Sequence, residues 1–412
     1  MTTTNKRFRR AAAVGSALAL AATMAACSNS DSEGNSDEIV IGFALSQSGN
    51  MAPFDVEPGN AAMLRIDEIN KDGGIDGRKI RVISKDVRSN PETVGTATTE
   101  LIGEGVDLIV TPCDFDLSAP GATIAQTSEV PAVSICAGDP KMADTTTLGD
   151  YIFSANTGSD VEGGTGATYA IDQGWETAYV LQDESIEYTK SAGKYFAATF
   201  EELGGKVVGQ DAFPGGDNVN ISSQVSRIRG LSEKPDFVYV ASWNPGGATA
   251  IRQLREGGVD LPVVGPNALD GQTLLDIVGN TKDVYYTAFA CYVYCTGQDS
   301  PDLDKFVENY KSKYGNESAS SYALLGYNMV SAFGDALKGV DDLSGSSVRD
   351  ALAKGVTTET PIGDVTYFSE TCHKIVDMPL TIIGVSGGKM TYETQARVEK
   401  IPDVGDNNSC AG

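Results

Sequence analysis

Short β-rich runs alternate with amphipathic helical runs along most of this chain. The alternation starts, stops and starts again, which limits what the chain can fold into. Residues 38–45 read as a buried strand, 59–70 as a helix, 79–85 as a strand, 91–104 as a helix and 106–111 as a strand. A helix over 118–127 and a strand over 132–136 complete the first series. The second series opens with strand 177–181, then helix 190–203, strand 206–211 and helix 221–231. Strand 237–241, helix 247–256 and strand 262–265 close it. Strands separated by helices of about 10–15 residues predict parallel sheets covered on both faces. Two such series predict an α/β protein of two doubly wound lobes. Ligands of such sheets gather beyond the carboxyl ends of the strands, so a cleft between the lobes would be lined by the loops that follow them.

The N-terminus points to export. Lys6, Arg7, Arg9 and Arg10 precede a small-residue apolar run over 11–22. That run is shorter than the about 20 apolar residues a spanning helix needs, so it reads as the hydrophobic region of a signal peptide. Met24-Ala25-Ala26-Cys27 follows, and the chain then turns polar over 28–37. A cysteine at the first mature position resembles the bacterial lipobox, where the thiol receives a diacylglycerol; Met24 stands where that motif usually has leucine. The expectation is a signal peptide over 1–26, lipidation at Cys27 and a flexible tether over 27–37. The chain would then sit on the extracytoplasmic face of a bacterial cell membrane. No later stretch is apolar enough for a transmembrane helix.

Charge and cysteine usage agree with that location. The formal charge is −25, and removing the four leader cations gives −25 − 4 = −29. Such a surface repels nucleic acid and anionic lipid; the acidity is spread along the chain and suits a solvated surface. Six cysteines remain after Cys27, an even count that suggests disulfides in an exported chain. Sequence does not choose among the possible pairings; the one adopted is Cys113 with Cys136, Cys291 with Cys295, and Cys372 with Cys410. No Cys-x-x-Cys pair is present and His373 is the only histidine. Neither a zinc site nor a Ser-His-Asp triad has its raw material. Gly-rich stretches at 214–217 and 245–247 lack the Lys-Ser/Thr ending of a phosphate loop and read as turns. No metal or cofactor is expected, and the chain reads as a binder, not an enzyme.

Residues 39–49 (IVIGFALSQSG) and 59–64 (GNAAML) resemble the opening of branched-chain-amino-acid-type periplasmic binding proteins. Residues 69–80 (INKDGGIDGRKI) are similar to that family's most characteristic stretch. There Gly73 and Gly74 end a helix, and Gly77 allows the turn into the next strand. Residues 106–110, 130–134, 235–240 and 265–266, Glu187-Tyr188, and the late helix over 321–337 extend the likeness across roughly 38–395. The resemblance implies a type I periplasmic binding protein fold whose chain crosses between lobes three times, near Thr157, Ala288 and Thr366. The lobes would be 38–157 plus 288–365 and 158–287 plus 366–403, followed by a tail over 404–412. It also implies the substrate-binding lipoprotein of an ABC importer, monomeric, partnered by permease subunits, and taking an amino acid, amide, amine or related solute.

By the same resemblance, Tyr188 and Trp243 cover the ligand from the second lobe; the alternatives are a helix-start aromatic packed on its own lobe for Tyr188 and packing at the hinge for Trp243. First-lobe contacts would come from Ser48, from Asp114, Phe115 and Asp116, and from Cys136, Ala137 and Gly138. Members of the family that bind amino acids hold the carboxylate with hydroxyls in these two loops and the ammonium with a glutamate. Here the hydroxyl positions align near Phe115 or Asp116 and near Gly138, and the glutamate aligns with Asn267. Both ends of a zwitterion site are altered. Asp114 and Asp116 either face the ligand, which would then present donors, or point to solvent and cap the helix that follows. Two other functions stay open: a ligand-sensing module that delivers to a membrane receptor, and a carboxylate-dependent hydrolase.

Overall fold

The computed structural model describes residues 38–216, 218–405 and 408–410. The leader, Cys27 and the tether lie outside the described residues. The first sheet contains β1 (Glu38–Leu45), β2 (Lys79–Asp86), β3 (Leu108–Thr111), β4 (Ala132–Ser134) and β5 (Ile152–Ser154), in the order β2-β1-β3-β4-β5 with every pair parallel. α1 (Ala52–Lys71), α2 (Pro91–Gly103) and α3 (Phe115–Thr127) connect its strands, followed by the short α4 (Thr145–Leu148). β1 is buried in all but its first residue, as a central strand covered on both faces must be. α2 starts where Asn90 accepts from the Thr93 N–H at 2.8 Å with Pro91 next in line. After α1 the chain turns through Gly73 and Gly74, at φ 114° and 86°. A Cβ on Gly74 would lie 2.1 Å from the Arg78 carbonyl oxygen, so the turn requires glycine there.

The second sheet uses β6 (Thr177–Asp183), β7 (Lys206–Phe213), β8 (Phe237–Ala241), β9 (Val263–Gly265), β10 (Val284–Ala288) and β11 (Cys295–Thr296). α5 (Ser159–Asp172), α6 (Glu187–Glu202), α7 (Ser222–Gly230), α8 (Gly246–Glu256) and α9 (Gln272–Val278) accompany them. Then α10 (Pro301–Tyr314), α11 (Ala323–Ala336) and α12 (Gly345–Ala353) lead into a small antiparallel sheet of β12 (Val356–Thr360), β13 (Gly363–Tyr367) and β14 (Ile375–Asp377). β15 (Leu380–Ser386) and β16 (Lys389–Ala396) return to the second sheet, whose order is β11-β16-β15-β10-β9-β8-β6-β7. α1 packs on α11, and Val365, Tyr367, Phe368 and Ile375 share an apolar cluster with Ile41, Leu108 and Val133, so the segment from α10 to β14 belongs with the first lobe.

The strand changes locate the crossings. The chain passes from β5 into α5 through residues 155–158, leaves the second sheet after Thr296 and rejoins it at Leu380. Thr366 therefore does not mark a crossing. It lies inside β13, opposite Thr357, because β12 to β14 form their own sheet instead of extending the second. Among the described residues, no helix is long and apolar enough to cross a membrane.

Candidate functional site

The carboxyl ends of β1, β3 and β4 face those of β6, β8 and β9, and the loops beyond them line a small cavity. The first lobe lines it with Met51, Phe54, Cys113, Asp114, Cys136 and Gly138; the second supplies Ile186, Tyr188, Trp243 and Ala268, and Tyr322 comes from just before α11. Tyr188, Trp243 and Ala268 share one apolar cluster with Phe54 and Tyr322, so the two lobes are closed on each other. Phe54 meets Trp243 at 5.9 Å and 54°, and Tyr322 edge-on at 5.4 Å.

In the first-lobe wall the carboxylates and the loop N–H groups they reach are already matched, while the Thr111 hydroxyl at the end of β3 keeps no partner among the described residues. The Cys113–Cys136 disulfide joins the ends of β3 and β4 with Cα atoms 4.4 Å apart. Asp55, fully buried on α1, accepts the Ser46 and Cys113 N–H groups, each at 2.7 Å. Burial pushes its carboxyl up to about 6, against those two bonds. Asp114 caps α3 by accepting the Leu117 N–H at 2.9 Å. Burial, followed by the nearby Asp116, pushes Asp114 up to about 7.

The second-lobe wall has a different backing. Tyr188, on the first turn of α6, lays its ring over Gly138, where a Cβ would come within 2.7 Å of the ring. Trp243 follows β8 and donates from Nε1 to Ser185 Oγ at 3.1 Å. The Tyr188 hydroxyl donates to Glu162, a buried carboxylate on α5, and accepts from the Ala268 N–H at 3.3 Å. Glu162 also accepts the Asn267 N–H at 3.1 Å. Burial is the main reason its carboxyl rises to about 7.

The rim is polar and bridges the lobes. The Glu187 N–H, opening α6, donates to Asp116 Oδ2 at 2.9 Å. Ser191 Oγ donates to Asp139 Oδ2 at 2.9 Å, and Lys141 pairs with Glu187.

Of the residues expected at the site, Asp114, Cys136, Gly138, Tyr188 and Trp243 line the cavity. Ser48 does not: it is exposed, and its hydroxyl donates to Asp86 at 3.0 Å. Phe115 is half-buried with the Lys141 ammonium 5.6 Å from its ring centre. Ala137 is buried and donates its N–H to Ser134, and Asp116 is exposed at the rim. The displacements of Phe115 and Asp116 share a cause. α3 begins at Phe115, three residues earlier than its periodicity suggests, so Asp114 becomes the cap and the next residues turn outward with the helix. Asn267 is fully buried beside Glu162, behind the cavity. Sequence reasoning missed Met51 and Phe54, because α1 begins well before residue 59; Tyr322 and Ala268 carried no signal. Glu162 had one: a carboxylate followed by Gly163 and Gly164 in a helix too lean in side chains to be a solvent face. The cysteines pair as Cys113–Cys136, Cys291–Cys295 and Cys372–Cys410. Among the described residues no group of three His, Cys, Asp or Glu is arranged to hold a metal ion.

Comparison with known proteins agrees with this architecture. Residues 38–389 match the periplasmic binding protein family. The Leu/Ile/Val-binding protein BraC3 of Rhizobium johnstonii is 26% identical over 343 residues, covering 80% of this chain and 87% of that protein. The branched-chain amino acid transporter substrate-binding protein LivJ from Streptococcus pneumoniae, solved with isoleucine, has a TM-score of 0.75 at 24% identity, covering 88% of this chain and 99% of that one. A solute-binding protein of an ABC transporter from Rhodopseudomonas palustris, solved with 3,4-dihydroxybenzoic acid, has a TM-score of 0.74 at 22% identity, covering 89% and 99%. Two α/β lobes closed over a strand-end cavity, together with a family match across nearly all of the described chain, identify it as a member of the periplasmic binding protein family.

Proposed function

We propose that this chain is the extracytoplasmic, lipid-anchored substrate-binding component of an ABC importer, and that it holds its solute through amine or amide donors, not through a carboxylate. The observation that carries the second part is the state of the first-lobe N–H groups. Those of Ser46 and Cys113 are taken by Asp55, and that of Leu117 at the start of α3 by Asp114. A helix N-terminus favours an anion, but here a side-chain carboxylate already occupies it. A ligand carboxylate would meet Asp114 instead of the Leu117 N–H, at the cost of like-charge repulsion or of holding Asp114 protonated. The cavity is lined by no lysine or arginine. Its aromatic rings offer large apolar area at little entropic cost.

In this reading the crossings act as a hinge, closure excludes water, and the closed form is presented to the permease. The lipid anchor rests on the leader that ends at Cys27. A thermal-shift screen tests the solute class, since ligands that bind only the native state raise its apparent stability. Small amines and amides should raise the melting temperature at neutral pH, while branched-chain amino acids and benzoates should not. A larger shift from isoleucine or benzoate than from any amine or amide overturns the donor reading and puts the ligand carboxylate back at the first-lobe loops.

A further inference from the structure

Glu162 is fully buried on the first turn of α5, and its Oε1 has no hydrogen-bond partner. Both side-chain amide atoms of Asn267, equally buried, are also unpartnered. An unmatched carboxylate oxygen at such depth is costly, and among the described residues Glu162 Oε1 is the one buried carboxylate oxygen left without a partner. These two residues touch each other through the Asn267 N–H, one side chain behind the part of the cavity wall made by Tyr188 and Ala268. The charged and titratable groups facing Glu162 come from five places. They are Asp160 on the same helix, Lys374 before β14, Tyr188 on α6, Tyr239 on β8 and Tyr322 before α11. The cation among them, Lys374, is bound to both oxygens of Asp160. Around the cavity itself stand the rings of Phe54, Tyr188, Trp243 and Tyr322, a setting that attracts cations through ring quadrupoles.

We propose that Glu162 is the specificity-determining residue of this cavity and selects a solute with a positively charged nitrogen, an ammonium or amidinium. Its charge acts across the Tyr188 hydroxyl, on which Glu162 and the Ala268 N–H converge, so that the solute feels the carboxylate through the wall without touching it. This inference rests on the donor reading above and narrows it from amines and amides to cations. It also predicts a pH dependence. With the cavity empty, burial holds the Glu162 carboxyl at about 7. A bound cation stabilises the ionised form and expels the proton, so affinity for a cation rises as pH passes upward through neutrality.

The test uses the whole chain, titrated calorimetrically with benzylamine, its uncharged analogue benzyl alcohol, and benzoate, at pH 6 and pH 8. Benzylamine is expected to bind about tenfold tighter at pH 8 than at pH 6, with benzyl alcohol unchanged between them. Glu162→Gln should erase both the preference for amine over alcohol and its pH dependence. Because the amine-to-alcohol ratio is taken within one variant, a partly unfolded preparation leaves it unaffected. Should Glu162→Gln not fold, proton release on binding benzylamine at pH 7 replaces it; the release should persist in Asp114→Asn. An unchanged ratio and pH slope in Glu162→Gln, or release lost in Asp114→Asn, overturns the role of Glu162 and leaves the donor reading standing. Benzoate binding more tightly than either analogue, or failure of all three to bind, overturns both.

Discussion

Both walls of the cavity keep some buried polar atoms without partners, but they differ in what becomes of their carboxylates. On the first-lobe side, backbone N–H groups, carboxylates and strand ends are tied to one another: Asp55 to two loop N–H groups, Asp114 to its own helix, Cys113 to Cys136. On the second-lobe side, Tyr188 and Trp243 present rings to the cavity, while Glu162 and Asn267 behind them keep buried atoms without partners. A wall whose carboxylates are satisfied internally is a scaffold, and changes to it should be felt as stability. A wall that keeps a buried carboxylate oxygen unmatched is where a solute is read, and changes to it should be felt as affinity. The comparison makes the two sides separable by experiment.

The largest effect is expected from the scaffold. Replacing Cys113 and Cys136 together by alanine releases a cross-link with a sequence separation of 23. It should lower the unfolding free energy by about 3 kcal/mol. Urea denaturation of the unliganded chain measures this, and the order in which solutes raise the melting temperature should stay as in the parent. A variant of parental stability but altered solute order would reverse the assignment of roles to the two walls.

Trp243→Ala probes the other wall. Its indole is nearly buried against Phe54 and is held by Ser185, so the ring is preset before a ligand arrives. Aromatic anchors of this kind carry about 2 kcal/mol of binding, and calorimetry with the best solute from the screen should report a loss of that size. Unchanged affinity would remove the ring from the site and leave it as hinge packing.

How much of this was legible beforehand depended on which physical signal each residue left in the chain. The strands left strong ones. β1 runs as a continuous apolar stretch because both its faces are covered, and β8 occupies the residues its apolar run marks out, 237–241. Helix starts were weaker, since a cap changes only one residue; the early start of α3 turned Asp116 out of the cleft and Asp114 into it. The third crossing was illegible because β12 to β14 look like any other strands until their partners are known. Glu162 was hidden for a related reason. A carboxylate in a helix reads as solvent-facing unless something reveals that the face is buried, and the small residues around it, Gly163, Gly164 and Gly166, are the local hint.

The smallest predicted effect belongs to the residue whose expected role changed most. Asp116 was expected to touch the ligand; instead its carboxylate accepts the N–H that opens α6 on the opposite lobe. That helix has 16 residues, so its first N–H groups carry the positive end of a sizeable dipole, and a charge-assisted bond there favours the closed arrangement. The group is exposed, so water competes for both partners, and the contribution should be only about 0.5–1 kcal/mol. Asp116→Ala should therefore weaken every solute by the same few-fold factor, because a latch that acts on closure does not see what is enclosed. A ligand contact behaves differently, changing the ranking of an amine against an uncharged analogue. Affinities for benzylamine and benzyl alcohol measured side by side separate the two, and a fall confined to the amine would return Asp116 to the binding site.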